Sequence, residues 1–361
     1  MNDDAAVTAN FIQIFVLSTS ASPSEGGTLS PSGANGYIFG AQVPVTASPN
    51  SGYTFSNWSG DCTGSGSCLV TMDSDKNVAA VFNAIPTPAP GPATTEGIVF
   101  VSTRDAGNEI YMMNDDGTDV IQLTRTDGDN LYPSWSADGS KIAFTSTRDA
   151  DWEIYTMSSD GINQTRLTTE SGQDQMPTWS PDGAKIAFLR LGEIYVMNAD
   201  GSGNRQLTDV ADVCVNPGNC SIWDPDWSPD GSKIAFRSAY SGDSEIYTVN
   251  VGGTNLVNLT NTAGSDTGPS WSPDGTKLAF SSDRDGNSEV YVMNSDGSEQ
   301  TRITNNSAND SSPVWSPDGS KIGFSSNRDG DWEIYTMLSN GTSQINISTN
   351  GAFDGQLDWG P

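Results

Sequence analysis

The sequence predicts an all-β chain: a six-bladed β-propeller of four-stranded blades, closed by pairing its last strand with its first, behind a small N-terminal β-rich module. Three observations predict it. A Glu-[Ile/Val]-Tyr triplet begins at Glu109, Glu153, Glu193, Glu245, Glu289 and Glu333, at spacings of 40 to 52 residues. A tryptophan keeps step with it at Trp135, Trp179, Trp227, Trp271, Trp315 and Trp359. A strand-like run of the type KIAFS does the same, starting at Ile98, Lys141, Lys185, Lys233, Lys277 and Lys321. Periodic self-similarity of this length is the mark of a repeat architecture, in which each unit buries its apolar face against the next.

Residues 1–84 carry none of these markers and form a separate unit. FIQIFVLSTS, AQVPVTASPNSGYTFSNWSGDC and CLVTMDSDKNVAAVF read as strands joined by Gly, Ser and Asp turns. The segments GGTLSPSG, SPNSGYTFSNWSGDC and VTMDSDKNVAAVF resemble the divergent internalin B-repeat type of bacterial surface module. That resemblance implies a spacer or adhesive decoration on a secreted or surface protein. Residues 85–96, within IPTPAPGPATTEG, read as a Pro-rich linker, extended and semi-rigid.

Residues 97–361 hold the repeats. Written from its tryptophan, one unit reads P-x-W-S-P-D-G-x-K-I-A-F-x-S-x-R-D-x-x-x-E-I-Y-x-M-N-x-D-G. Proline presets φ at the second position of the Ser-Pro-Asp-Gly turn and glycine closes it, so the first hairpin is dictated locally. Asp116-Gly117, Asp160-Gly161, Asp200-Gly201 and Asp296-Gly297 set the outer turn in the same way. Four antiparallel strands per period make a propeller blade. The chain enters at Ile98 in a second strand and leaves at Trp359 in a first strand, so the segment from Gln356 to Trp359 is expected to complete the blade begun by residues 98–124.

WSPDG-x-KIAF and RDG-x-x-EIY-x-MN-x-DG resemble the β-propeller repeat of TolB-type proteins from about Gly97 to Pro361. The resemblance implies the fold; it leaves function open, because propellers host unrelated activities.

Charge and composition narrow the function. With 16 basic and 45 acidic side chains the net charge is −29, which argues against nucleic acid and anionic membrane surfaces as partners. Turn chemistry itself selects Asp and accounts for much of this acidity. Histidine is absent, which removes Ser-His-Asp and Cys-His catalysis. Cys62 and Cys68 are six residues apart, as are Cys214 and Cys220, so two local disulfides and an oxidising compartment are expected. No apolar run is long enough to span a bilayer. Met1-Asn2-Asp3-Asp4 is no signal peptide, so the reading is of an extracytoplasmic protein whose export signal is absent from this chain.

Candidate site residues come from places where the repeats differ. Trp152, Trp223 and Trp332 fall on the loop face without being required by the repeat, and could stack on a glycan or anchor a protein ligand. Asp129, Asp174, Asp266, Asp310 and Asp354 precede the innermost strands and are expected to ring the channel mouth, where like charges with no nearby Lys would be relieved by bound Ca²⁺. The leading reading is a binding protein without enzymatic activity. One alternative is a carbohydrate-active hydrolase or lyase using channel carboxylates; a second is a structural cell-surface spacer.

Overall fold

Turns of Pro, Asp and Gly cut the chain into short strands, and in the computed structural model no helix occurs among the described residues, which are 12–50, 53–84, 97–105, 107–126, 128–209, 222–240 and 242–361. They divide into two units, Met1–Ile85 and Pro86–Pro361. The Pro-rich linker of residues 85–96, and the Cys214 and Cys220 pairing, lie outside the described residues.

The first unit holds β1 (Ile14–Ser22), β2 (Gly27–Ser30), β3 (Gly33–Ile38), β4 (Gln42–Pro49), β5 (Tyr53–Gly60), β6 (Cys68–Thr71) and β7 (Lys76–Ala84). One sheet runs β3-β1-β7-β5, with β1 and β7 parallel; the other runs β2-β4-β6. Alternation places Leu17, Val43, Val45, Val70, Val78 and Phe82 in a shared core around Trp58. A disulfide joins Cys62 to Cys68, and Trp58 donates its indole N–H to the Gly66 carbonyl across the loop it closes (2.7 Å).

In the second unit β8 (Gly97–Ser102), β9 (Glu109–Asn114) and β10 (Ile121–Gln122) are followed by the first complete repeat: β11 (Asn130–Trp135), β12 (Lys141–Ser146), β13 (Glu153–Ser158) and β14 (Thr165–Arg166). Equivalent four-stranded sheets begin with β15 (Asp174–Trp179), β19 (Ile222–Trp227), β23 (Asp266–Trp271) and β27 (Asp310–Trp315). The last strand, β31 (Asp354–Trp359), pairs antiparallel with β8. The innermost strands neighbour one another in the order β11, β15, β19, β23, β27, β31 and back to β11.

The turns act as read from the sequence. Ser136 Oγ donates to Asp138 Oδ1 (2.7 Å), which also accepts the Ser140 N–H (3.0 Å), and Gly139 sits at φ 66°. At the outer turn Gly117 has φ 83° and lies so close to the previous sheet that a Cβ would stand 2.1 Å from the Ile347 carbonyl. Only glycine meets both conditions. The apolar positions repeat as well: Phe100, Phe144, Phe188, Phe236, Phe280 and Phe324 are all fully buried.

Candidate functional site

Strand register defines the two ends of the propeller. Asn130 pairs with Ser146 and Ser146 with Glu153, so the loop before the innermost strand and the loop between second and third strands share one end. Trp135, Lys141 and Ser158 lie at the other. The first end is the loop face, and it is braced by two repeated polar devices.

In the first device a buried glutamate opens the third strand. Thr124 donates its hydroxyl to Glu109 Oε2 (2.5 Å) and accepts the Ile110 N–H (2.8 Å); Thr168 with Glu153, Thr304 with Glu289 and Ser348 with Glu333 repeat it. The glutamate of the EIY marker is therefore a strand-end clamp.

The second device concerns the aspartates assigned to the channel mouth. Asp174, Asp266, Asp310 and Asp354 do open innermost strands, but all four are fully buried, and each is paired with an arginine: Arg190, Arg284, Arg328 and Arg104 respectively, at 2.6 to 2.9 Å. Those guanidiniums also lie over aromatic rings, as Arg328 does over Phe324 (5.5 Å) and Tyr335 (4.5 Å). The charge relief that the sequence reading assigned to Ca²⁺ is thus supplied by arginine in these four sheets. Asp129 is displaced by one: the equivalent residue is Asn130, buried and bonded to Arg148 (2.9 Å), while Asp129 accepts from Asn108 (2.9 Å). Among the described residues no three Asp, Glu, His or Cys side chains are grouped to hold a metal ion.

The tryptophans differ among themselves. Trp152 and Trp332 are half-buried on equivalent loops, and their carbonyls accept the N–H groups of Asp174 and Asp354 (2.8 Å each). Asn108, Ser244 and Ser288 make the same backbone bond, so the indoles are not needed for it. Trp223 is 37% exposed, with Arg237 Cζ 5.6 Å from its ring centroid. Among the described residues no aromatic pair joins any two of the three, so the structure does not gather them into one cluster.

Sequence reasoning missed the channel wall. All six innermost strands line a central cavity of about 180 Å³. The third residue of each strand, Tyr132, Met176, Asp224, Gly268, Ser312 and Gln356, has φ between 49° and 59° and marks a register shift against the second strand. Such a bulge re-aims side chains at a barrel or propeller centre. Some of these residues then bridge sheets: Gln356 Oε1 accepts the Tyr132 N–H (3.1 Å), and Asp224 Oδ2 accepts the Gly268 N–H (3.3 Å). Asp224 also pairs with Arg237 (3.3 Å), completing a Trp223, Asp224 and Arg237 group at the loop-face end. Burial and the nearby Asp224 charge raise the Tyr132 hydroxyl above the ordinary tyrosine range.

Deeper in the channel lie Asp226 and Asp358. Asp226 Oδ2 accepts the Trp271 N–H and Asp358 Oδ2 the Trp135 N–H, both at 2.7 Å and both across a sheet boundary. Both residues line the channel, and desolvation there pushes Asp226 up to about 7 and Asp358 up to about 6. Asp358 adds a smaller electrostatic push on Asp226. A signal for all these residues was present: they stand one, three and four places before the repeat tryptophan, where the repeats disagree.

Comparison with known proteins agrees with this geometry. A family model described as TolB beta propeller domain matches residues 68–215, 210–299 and 284–361, and one described as divergent InlB B-repeat domain matches residues 17–86. Among solved structures the chain is similar to TolB from Acinetobacter baumannii (21% identity, TM-score 0.64, 74% of this chain and 67% of that one). It is also similar to a putative TolB from Agrobacterium tumefaciens (21%, 0.58, 74% and 100%) and to a chain of a nidogen/laminin complex (12%, 0.59, 73% and 98%). At these identities the likeness is one of fold. No curated protein sequence matches the chain.

Proposed function

The chain belongs to the TolB beta propeller domain family, and from that premise we propose that residues 97–361 form a closed six-bladed ring that binds a protein or glycan ligand at the loop-face end of its channel. Support for the ring comes from the β31 to β8 pairing and the cyclic order of the innermost strands. The observation that carries the binding reading is where the repeats differ. Packing selects the same residue in equivalent places, as it does for the six buried phenylalanines. At the second position of the innermost strand the residues are instead Leu131, Gln175, Trp223, Thr267, Ser311 and Gly355, all different, and at the third position all six differ again. The third position lines the channel, and the second stands beside it towards the loop-face end of the strand. Diversity at the loop-face end of a symmetric scaffold favours recognition of an asymmetric ligand, with Trp223, Arg237 and Asp224 as its densest group and Trp152 and Trp332 at the periphery.

The Cys62 to Cys68 disulfide supports an extracytoplasmic setting, and the divergent InlB B-repeat unit supports a surface one. No helix among the described residues is long and apolar enough to cross a membrane. Screening the whole chain on glycan and peptide arrays tests the proposal. Saturable binding that Trp223→Ala abolishes supports it; blank arrays contradict it and favour a spacer.

Asp226 and Asp358 favour a second reading. Two channel carboxyls, one raised to about 7 and the other to about 6, have the chemistry for general acid and base work on a glycan. Polysaccharide turnover that disappears in Asp226→Asn would establish it.

A further inference from the structure

We propose that a cavity at the end of the propeller opposite the loop face binds a small zwitterion of the α-amino acid type, its carboxylate taken by Lys277 and its ammonium by Asp274 and Asp318. The cavity measures about 250 Å³ and lies where the sheets that begin with β23 and β27 meet. Lys277, Asp274 and Pro273 line it from the first of these sheets, and Trp315, Asp318 and Ser339 from the second.

The repeat itself shows what Lys277 lacks. At the next sheet boundary Lys321, the equivalent lysine, reaches the Asp115 carboxylate at 2.7 Å. Asp115 follows Asn114 at the start of an outer turn, and Ser339 follows Leu338 at the same place in the sheet that begins with β27. Asn114 and Leu338 each accept the glycine N–H that closes the turn, from Gly117 at 3.0 Å and from Gly341 at 2.8 Å. Lys277 therefore shares its cavity with a serine where Lys321 meets a carboxylate. Its ammonium bonds to the Asn294 side-chain oxygen (3.3 Å) and pairs with no carboxylate among the described residues. The Lys321 and Asp115 pair is the chain's own version of the contact that a ligand carboxylate makes with Lys277.

Trp315 adds a donor. It is 8% exposed, and its buried indole N–H meets no acceptor, whereas the equivalent Trp227 donates to the Thr178 carbonyl at 3.2 Å. An unmet donor and an unpaired cation in the walls of one cavity suit a group with two acceptor oxygens.

The turn aspartates supply the opposite charge. Hydrogen bonds hold both below the usual carboxylate range, chiefly from the Ser272 hydroxyl for Asp274 and from the Ser320 N–H for Asp318, so both are ionised. In each, Oδ2 accepts a single hydroxyl, from Thr276 (2.9 Å) and Ser320 (2.8 Å) respectively, and keeps room for another donor. One cation and two anions disfavour a simple anion and favour a ligand that carries both signs. Drug-sized ligands occupy pockets of roughly 300–1,000 Å³, so this smaller cavity suits an amino acid, with Pro273 and the Trp315 ring as an apolar wall for its side chain.

Isothermal titration of the full chain with glycine, L-serine and L-leucine, each to tens of millimolar, tests this. At least one is expected to bind with saturation, and Lys141→Met, at the equivalent position of another sheet, should bind it like the parent. Lys277→Met and Ser339→Asp should each weaken binding at least about tenfold without lowering the melting temperature, the second by giving Lys277 the carboxylate that Asp115 gives Lys321. Acetate and methylamine, with one charge each, should bind at least about tenfold more weakly than the amino acid. Three amino acids that never saturate, binding that survives Lys277→Met or Ser339→Asp or is lost equally in Lys141→Met, or acetate or methylamine binding as tightly as the amino acid, overturns the proposal.

Discussion

Arg284 holds both oxygens of the fully buried Asp266 through a single Nη2, at 2.9 Å to each. The fourth sheet solves the same position differently. There Ile222 stands in place of the aspartate and Tyr240 in place of the arginine, and both are buried in one apolar cluster with Phe236 and Tyr247. Both partners have changed together, as expected if an ion pair and an apolar pair are alternative fillings of one space.

Removing one member of the pair should therefore cost far more than replacing both. Asp266→Ile alone leaves a largely buried guanidinium unpaired, at about 3–5 kcal/mol. The double variant Asp266→Ile with Arg284→Tyr, copying the fourth sheet, should recover most of that loss. Chemical denaturation of the four proteins of this double-mutant cycle measures it; equal losses in single and double variants would show that the two sites are not alternatives.

Stability should respond to pH through Asp226 and Asp358. Both are raised on folding from an ordinary value of 3.8, so the native protein holds protons that the unfolded chain releases. Their contribution is present below about pH 4 and is lost as pH rises towards 7. Asp226→Asn keeps an acceptor for the Trp271 N–H while removing the titration. The fall in stability between those limits should flatten by about 1 kcal/mol or more, each pKa unit being worth about 1.4 kcal/mol. An unchanged slope in Asp226→Asn counts against the desolvation.

The sheet that β31 completes is tied within itself and to both neighbours. Arg104 reaches Asp354 inside it (2.9 Å), Gln356 and Asp358 bond to Tyr132 and Trp135 of the sheet that begins with β11, and Lys321 of the sheet before it reaches Asp115 (2.7 Å) across a separation of 206 residues. Deleting Gln356 to Pro361 should lower the melting temperature of the whole propeller and broaden its transition. Lys321→Met should cost only about 0.2–1 kcal/mol, because that ion pair is partly exposed. A truncated chain that melts like the parent would contradict a closed ring.

The fold was legible because its signals are local: Ser-Pro-Asp-Gly and Asp-Gly turns fix hairpins whatever surrounds them. Site assignment was harder, for two physical reasons. Asp266 and Arg284 are 18 residues apart and meet only across paired strands, so the aspartates read as unpartnered. Asp129 was aligned by residue type, whereas the structure aligns by strand register and selects Asn130. Channel residues such as Met176 and Gln356 form no motif at all; only their offset from Trp179 and Trp359 marks them, and the bulge that turns them inward is invisible without the second strand.

The central claim is that the loop-face end of the channel, and not the ring as a whole, recognises the ligand. Its most direct test is isothermal titration of an array-identified ligand into the parent, Trp223→Ala, Arg237→Ala and Lys141→Ala, the last being exposed at the opposite end of the propeller. The account predicts at least a tenfold loss of affinity, about 1.4 kcal/mol, for the first two variants, with parental affinity in Lys141→Ala and unchanged melting temperatures throughout. Parental affinity in Trp223→Ala and Arg237→Ala, or an equal loss in Lys141→Ala, would contradict it.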